Sequence, residues 1–456
     1  MNSKNRTDAM KIFASTVCLV LFSIWIVSLR KEINADDVVS FSQAKDLIEF
    51  GSLRGWTYPG APSFFPDILL SIPFEILART PYFFHLVTAP VQVLIFVFAC
   101  SLLTSKERPF AQTYTNLTIS LIAIAVSGLL VIGKDFYFLI ETAFSFEHHG
   151  FAAVLAVILY FYVKSHFKIT VLNSAALVIV VFLLGISDLY FVLWFGALLA
   201  SEAIFGERKK FLAFTVAFSA LAIFIFLVSL EINSSLAIQA KNSATEDYAD
   251  KLRNVFHIAI ILFFMISIFI KTKSFKYSKS LCAAAIFSIA VVCAAGLIHN
   301  TYEFRYLSIT YVISAWMFHD LIDRSIKIKN IVALTSTILL VALVAAPKIP
   351  QNENFQREID CLSRQGISGS TVYAEYWPAK IVFEGTNRVF NLIQIDRDLN
   401  ETSWNYNSRW KSLHNDNGVS YYLTDHLSHN ATQHLIDIKG SELLCDGKIV
   451  TVKAQQ

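Results

Sequence analysis

Two adjacent carboxylates, Asp36 and Asp37, follow the first apolar run of this chain. A carboxylate in such a loop can accept a proton from an attacking hydroxyl group and so act as a general base. Asp is also a common N-cap, and a helix is predicted to begin near Val38. The residues alone therefore leave proton transfer and helix capping as two interpretations of the pair.

A second polar segment runs from Lys134 to His149 and ends in Glu147, His148 and His149. Its side chains suit hydrogen bonding to a substrate or a lipid headgroup. Consecutive helical residues point about 100° apart, which argues against all three terminal residues binding one metal ion. Glu147 and His149 remain the candidate metal ligands.

Two further ionisable residues lie at the ends of apolar runs. Asp188 separates two runs with almost no loop, so we expect either a functional carboxylate or a helix cap. Arg305 follows Tyr302 in a short turn, where its guanidinium can bind a phosphate bidentately. Snorkelling to the membrane interface, or a pair with Glu303, is the alternative for this arginine.

Long apolar runs separate these segments and must position them. Of 456 residues, 55% are hydrophobic and 16% are charged, whereas soluble proteins carry about 25% charged residues. Runs of this length cross about 30 Å of hydrocarbon. We predict a polytopic α-helical membrane protein of about eleven transmembrane helices, at 11–29, 82–104, 114–133, 149–163, 169–187, 189–205, 211–230, 255–270, 280–298, 306–322 and 331–346.

The basic residues predict the orientation of these helices. Arg and Lys concentrate in alternate loops, which the positive-inside rule places in the cytoplasm together with the N-terminus. They are Lys106, Arg108, Lys164, Lys168, Arg208, Lys209, Lys210, Lys271, Lys273, Lys276, Lys279, Arg324, Lys327 and Lys329. Their scatter between apolar runs, at a net charge of +3, disfavours nucleic-acid binding.

An odd number of spans places the C-terminal segment, residues 347–456, outside. Short β-rich runs alternate there with helix-compatible stretches such as Glu353 to Arg364, which predicts a small extracytoplasmic α/β domain. The transmembrane domain is then residues 1–346, with a long first loop at 30–82. An oxidising compartment permits a disulfide between Cys361 and Cys445.

Three stretches of the first loop carry a family resemblance: Asp36-Asp37, the segment from Gly51 to Trp56, and the Pro66-containing segment. With the late Arg305-Tyr306 pair, they resemble the GT-C class of membrane glycosyltransferases, in particular dolichyl- or undecaprenyl-phosphate-dependent mannosyltransferases. Relatives often have Asp-Glu and Pro-Pro where this chain has Asp36-Asp37 and Phe65-Pro66-Asp67.

The resemblance implies an inverting transfer of sugar from a polyprenyl-phosphate donor to a lipid, glycan or protein acceptor. It implies an Asp base, for which we favour Asp37 over Asp36, and it leaves a divalent metal ion open as cofactor. The substrate-binding candidates are Lys134, His148, His149, Asp188, Tyr302 and Arg305. A bacterial inner membrane is the expected location, with membrane lipids around the chain.

Two other classes of function compete with this interpretation. A transporter or flippase of lipid-linked substrates would place charged residues midway along its spans, whereas here they collect at the outer ends. A non-catalytic assembly factor would use the membrane part only as an anchor, which requires neither so many spans nor a long acidic loop.

Overall fold

The computed structural model describes residues 3–29, 36, 38–58, 64–78, 80–132, 140, 149–206, 208–232, 278–299, 307–324, 353–402 and 405–453. The chain divides into two compact units. The helical unit comprises Met1–Val27, Gly60–Pro66 and Thr88–Pro347, and the C-terminal unit comprises Ser28–Pro59, Asp67–Val87 and Lys348–Gln456.

The described helices include those of both units, numbered here along the chain. They are α1 (Ser3–Ser28), α2 (Val39–Phe50), α3 (Leu69–Ala78), α4 (Pro81–Leu103), α5 (Phe110–Ile132), α6 (Gly150–Ser165), α7 (Val171–Ser187), α8 (Leu189–Phe205), α9 (Arg208–Ile232), α10 (Ser278–His299), α11 (Ser308–Arg324), α12 (Glu353–Arg364), α13 (Tyr376–Gly385) and α14 (His429–Asp437).

The described strands are short and belong to the C-terminal unit. They are β1 (Trp56–Thr57), β2 (Thr371–Glu375), β3 (Asn391–Ile395), β4 (Tyr406–Asn407), β5 (Val419–Leu423), β6 (Ser441–Leu444) and β7 (Ile449–Lys453).

Apolar composition makes several helices candidates for membrane spans. Among the described residues, α1, α4, α5 and α9 each contain a stretch long and apolar enough to cross a membrane, and α6, α7, α8 and part of α10 are shorter apolar helices. This supports the prediction of a membrane protein. Nine of the eleven predicted spans fall on described helices. The other two, 255–270 and 331–346, lie outside the described residues, so the count of eleven stays a prediction.

Polar side-chain contacts join neighbouring helices of the helical unit. The Thr16 hydroxyl lies 2.9 Å from that of Tyr114, which places α1 beside α5. In the last turns of α6 and α8, Lys164 Nζ lies 2.6 Å from Glu202 Oε1, with both side chains buried. Tyr160 donates a second hydrogen bond of 2.6 Å to Glu202. Both charges lie near helix ends that the positive-inside prediction places in the cytoplasm.

The C-terminal segment forms a small α/β domain. Its five-stranded sheet has the order β3-β2-β5-β7-β6. Strands β3, β2 and β5 are parallel, and β7 runs antiparallel to both β5 and β6. Cys361, in α12, forms a disulfide with Cys445, and their Cα atoms lie 6.2 Å apart.

The first loop folds as part of this C-terminal unit. Strand β1 pairs antiparallel with β4, with Trp56 opposite Asn407. Val38 and Phe41 of the loop share one buried apolar core with Phe383 of the C-terminal segment. The sequence predicts residues 30–82 as a loop of the transmembrane domain. In the structure, most of these residues belong instead to the C-terminal unit, together with residues 348–456.

Candidate functional site

Asp36 precedes the first residue of α2 by three residues and contacts the C-terminal segment. Its carboxylate accepts a hydrogen bond from the hydroxyl of Tyr376, the first residue of α13. The amide Nδ2 of Asn405 donates to the same hydroxyl across 3.4 Å. The N-cap of α2 is Val38, which makes no side-chain cap. The Asp36 side chain therefore joins the first loop to the C-terminal domain.

A buried cation supports this contact. Lys380 lies one turn after Tyr376 on α13, is fully buried, and places Nζ 4.2 Å from the centre of the Tyr376 ring. A positive charge beside the phenol strengthens its hydroxyl as a donor and favours a neighbouring carboxylate. The site thus combines a carboxylate, a hydroxyl, an amide and a cation.

An ion cluster beneath this site holds α2 in place. Arg388 Nη1 lies 2.5 Å from Asp46 of α2, and Nη2 lies 2.5 Å from Glu384 of α13. All three side chains are at least 95% buried. Ser42 Oγ donates 2.6 Å to Glu384, and Lys45 Nζ lies 3.3 Å from the same carboxylate. Both acids and the guanidinium are paired, as buried charges must be.

Indole and amide groups satisfy the rest of Asp46. Its Oδ2 accepts hydrogen bonds from Trp56 Nε1 at 2.7 Å and from Asn407 Nδ2 at 2.5 Å. Trp410 Nε1 approaches Oδ1 at 3.3 Å. The carboxylate of Asp46 therefore fixes α2 and β1 of the first loop against β4 and the adjoining 3-10 turn.

The cluster shifts the pKa values of Glu384 and Arg388. Burial alone would raise the pKa of Glu384, but Arg388 and Lys45 outweigh burial and lower it. Burial alone would lower the pKa of Arg388, but Glu384 and Asp46 outweigh it and raise that pKa. Each group therefore stays charged at neutral pH. This cluster is not predictable from the sequence alone, because each of its members looks like an ordinary surface charge within its own element.

A second polar site lies in the helical unit, at the junction of α7 and α8. His149 Nδ1 lies 2.7 Å from Asp188 Oδ2, and the His149 ring packs on Tyr190 with centroids 4.4 Å apart. Asp188 Oδ1 accepts a 2.9 Å hydrogen bond from the Tyr190 N–H, which confirms the predicted capping role. Ser187 Oγ accepts a 2.8 Å hydrogen bond from the N–H of Phe65. Three segments predicted to lie outside therefore meet here.

The other candidate residues lie outside the described part of the chain. They are Asp37, Lys134, Glu147, His148, Tyr302 and Arg305. Within the described ranges, no group of three or more His, Cys, Asp or Glu side chains is placed to hold a metal ion. His149 is paired with Asp188, and the metal site proposed with Glu147 stays a prediction.

No protein-family model matches this chain, and neither a curated protein nor a solved structure matches it. The functional assignment therefore depends on the chemistry of these two sites and on the resemblance of the first loop to the GT-C class.

Proposed function

We propose that this protein is a GT-C-like membrane glycosyltransferase. It transfers a sugar from a polyprenyl-phosphate carrier to a lipid, glycan or protein acceptor on the extracytoplasmic face. The observation that carries the proposal is the placement of Asp36. The start of the first loop, where the class has its acidic residue, is held against the C-terminal domain by Tyr376 and by the ion cluster around Arg388.

The proposed reaction is a single displacement. The acceptor hydroxyl oxygen attacks the anomeric carbon, and the bond from that carbon to the phosphate oxygen breaks. The bonding electrons leave with the polyprenyl phosphate, and the hydroxyl proton passes to the carboxylate base, so the configuration inverts. The hydrogen bond from Tyr376 occupies one acceptor position of Asp36. This supports Asp37 as the base, with Asp36 orienting the loop.

The remaining roles follow from the predicted topology of eleven spans. Arg305 would pair with the phosphate of the carrier, because a guanidinium matches two phosphate oxygens. His149 and Asp188, which form one hydrogen-bonded pair, would contact the donor headgroup together with Lys134, His148 and Tyr302. The Asp188 carboxylate contacts His149 through Nδ1, so Nε2 is the ring nitrogen that would face the donor headgroup.

The test is sugar transfer by the full-length protein in detergent. The assay supplies a panel of polyprenyl-phosphate sugars with a membrane lipid extract, and compares wild type with Asp36→Asn and Asp37→Asn. Asp437→Asn is the matched control, because Asp437 is an exposed carboxylate at the end of α14. We expect Asp37→Asn to lower transfer by about 10²–10⁴-fold, and the control to match wild type. Asp36→Asn should lower transfer less, because its amide oxygen still accepts the hydrogen bond from Tyr376.

Unchanged transfer in both variants would refute the assignment of the base. Absence of transfer by the wild type from every donor would favour the transporter interpretation. That alternative is then measured directly, as movement of lipid-linked sugar across proteoliposome membranes.

A further inference from the structure

In the sheet of the C-terminal unit, the order in which successive strands are added reverses at β2. From β2 the chain passes through α13 to β3 on one side, and β5 then pairs with β2 on the other side. The three strands are parallel, so their carboxyl ends share one edge. In open α/β sheets, ligands bind at the carboxyl edge where the strand order reverses. The gap between the ends of β2 and β5 has this geometry.

Charged side chains converge on this edge from all three strands. Glu375 ends β2, Arg397 follows β3 by two residues, and His426 follows β5 by three. Arg397 and His426 are exposed, whereas Glu375 is half-buried. Burial raises the pKa of Glu375, and His426 and Arg397 are close enough to oppose that rise. The edge therefore offers hydrogen-bond donors and an acceptor side by side.

An aromatic ring stands at the same edge. Trp377 is 38% exposed, and its backbone N–H donates 2.9 Å to the Glu375 carboxylate. The Trp377 ring lies 5.1 Å from that of Tyr376, measured between centroids, and the two rings are nearly perpendicular. Large aromatic rings are normally buried, so an exposed indole beside charged groups suits a ligand with an apolar face.

The side-chain oxygen of Asn405, Oδ1, is a buried hydrogen-bond acceptor to which no described group donates. Its side chain is only 2% exposed, and its Nδ2 donates to the Tyr376 hydroxyl, which in turn donates to Asp36. Within the described part of the chain, nothing donates a hydrogen bond to Asn405 Oδ1. A ligand hydroxyl that donates to Oδ1 would satisfy this buried acceptor.

We propose that the carboxyl edge of β2 and β5 is a saccharide-binding site. A pyranose ring stacks its apolar face on Trp377, one of its hydroxyls donates to Asn405 Oδ1, and others hydrogen-bond with Glu375 and Arg397. The carboxylates of Glu375 and Asp36 balance the cations of Arg397 and Lys380 around this site, which favours a neutral sugar over a charged ligand. Naming this saccharide as the acceptor glycan rests on the proposed transferase function.

Direct binding to the full-length protein tests the site without any transfer reaction. The protein is kept in a sugar-free detergent, lauryldimethylamine oxide, because a maltoside would compete. Neutral trisaccharides of mannose, glucose, galactose and N-acetylglucosamine are then titrated by calorimetry and by saturation-transfer NMR. The variants are Trp377→Ala and Asn405→Gly, the latter chosen because the backbone φ of Asn405 is 47°. Leu443→Ala is the control, because Leu443 is 50% exposed on β6 at the far edge of the sheet.

We expect at least one trisaccharide to bind the wild type and the control with the same affinity. Each site variant should bind it at least about tenfold more weakly, which corresponds to ~1.4 kcal/mol. Circular dichroism establishes that each variant is folded. Absence of binding to all four trisaccharides, or wild-type affinity in both folded site variants, would overturn the proposal.

This result is separate from that of the transfer assay. Binding that depends on Trp377 and Asn405, without transfer, would keep the saccharide site and refute the transferase. Transfer that depends on Asp37, with binding unaffected by the site variants, would refute the saccharide site alone.

Discussion

Replacing Arg388 by methionine should selectively destabilise the C-terminal unit. The guanidinium donates to Asp46, to Glu384 and to Glu49, and Nη2 also donates 3.2 Å to the carbonyl oxygen of Ser42. Methionine keeps much of the aliphatic length of arginine but supplies none of these hydrogen bonds. The variant therefore leaves two buried carboxylates without their shared cation.

The size of the effect follows from what remains bonded. Removing one partner of a buried ion pair typically costs about 3–5 kcal/mol. Asp46 keeps its donors Trp56 and Asn407, and Glu384 keeps Ser42 and Lys45, which places the expected loss near the lower limit, at ~3 kcal/mol. For a unit of this size, each 1 kcal/mol lowers the melting temperature by roughly 2–4 °C. We therefore expect a drop of about 6–12 °C.

Intrinsic tryptophan fluorescence during a thermal ramp measures this transition. The indoles of Trp56 and Trp410 both donate to Asp46, so these two of the chain's seven tryptophans respond to loss of the cluster. Circular dichroism at the same temperatures provides a second probe. Coincidence of the two transitions shows that the unit unfolds cooperatively.

Glu49→Gln is the control for the loss of Arg388. The Glu49 carboxylate also lies 2.9 Å from Arg388 Nη1, but its side chain is 41% exposed. Exposed pairs contribute about 0–1 kcal/mol, so this variant should melt within about 4 °C of the wild type. If Arg388→Met melts no lower than Glu49→Gln, the cluster does not hold the loop to the domain and the reasoning fails.

Four further results are expected. Folding lowers the pKa of Glu384 from its usual 4.5, so the ionised carboxylate stabilises the fold above pH 4.5 and this stabilisation is lost as the pH falls from there through the lowered pKa. Melting scans should therefore show that acid lowers the melting temperature of Glu384→Gln less than that of the wild type. Cys361→Ser with Cys445→Ser should cost about 4 kcal/mol in denaturant titrations, and reduction of the wild type should reproduce that loss. Asp188→Ala should lose the cap of α8 and the partner of His149, whereas Asp188→Ser should recover about 1 kcal/mol, the share of the cap, in thermal melts. In a bacterial host, alkaline phosphatase should be active when fused at the C-terminus and inactive after residue 206, and the reverse pattern would refute the predicted orientation.

Local sequence was sufficient for much of the fold. The helix predicted from Glu353 to Arg364 is α12, and the short β-rich runs predicted in the C-terminal segment correspond to strands of its five-stranded sheet. The helix predicted to begin near Val38 is α2, whose N-cap is Val38. Each depends on periodicity and turn residues within a few neighbours, which a single sequence contains. Strands β1 and β4, of two residues each, give too short a pattern to predict.

The partners of the site residues depended on contacts between distant parts of the chain. Asp46 and Arg388 are 342 residues apart, and Asp36 and Tyr376 are 340 apart. Neither pair produces a pattern that can be read from neighbouring residues. The same residue types occur in buried ion pairs and on exposed surfaces, so the sequence does not show which of them will meet.

The sequence alone therefore determined which residues can carry charge, protons or apolar surface, and in which order the elements form. The tertiary structure decided that the first loop and the C-terminal segment build one unit, and that Asp36, Tyr376 and Asn405 meet within it. The physical reason is that periodicity and capping act between near neighbours, whereas burial forces distant polar groups to find one another.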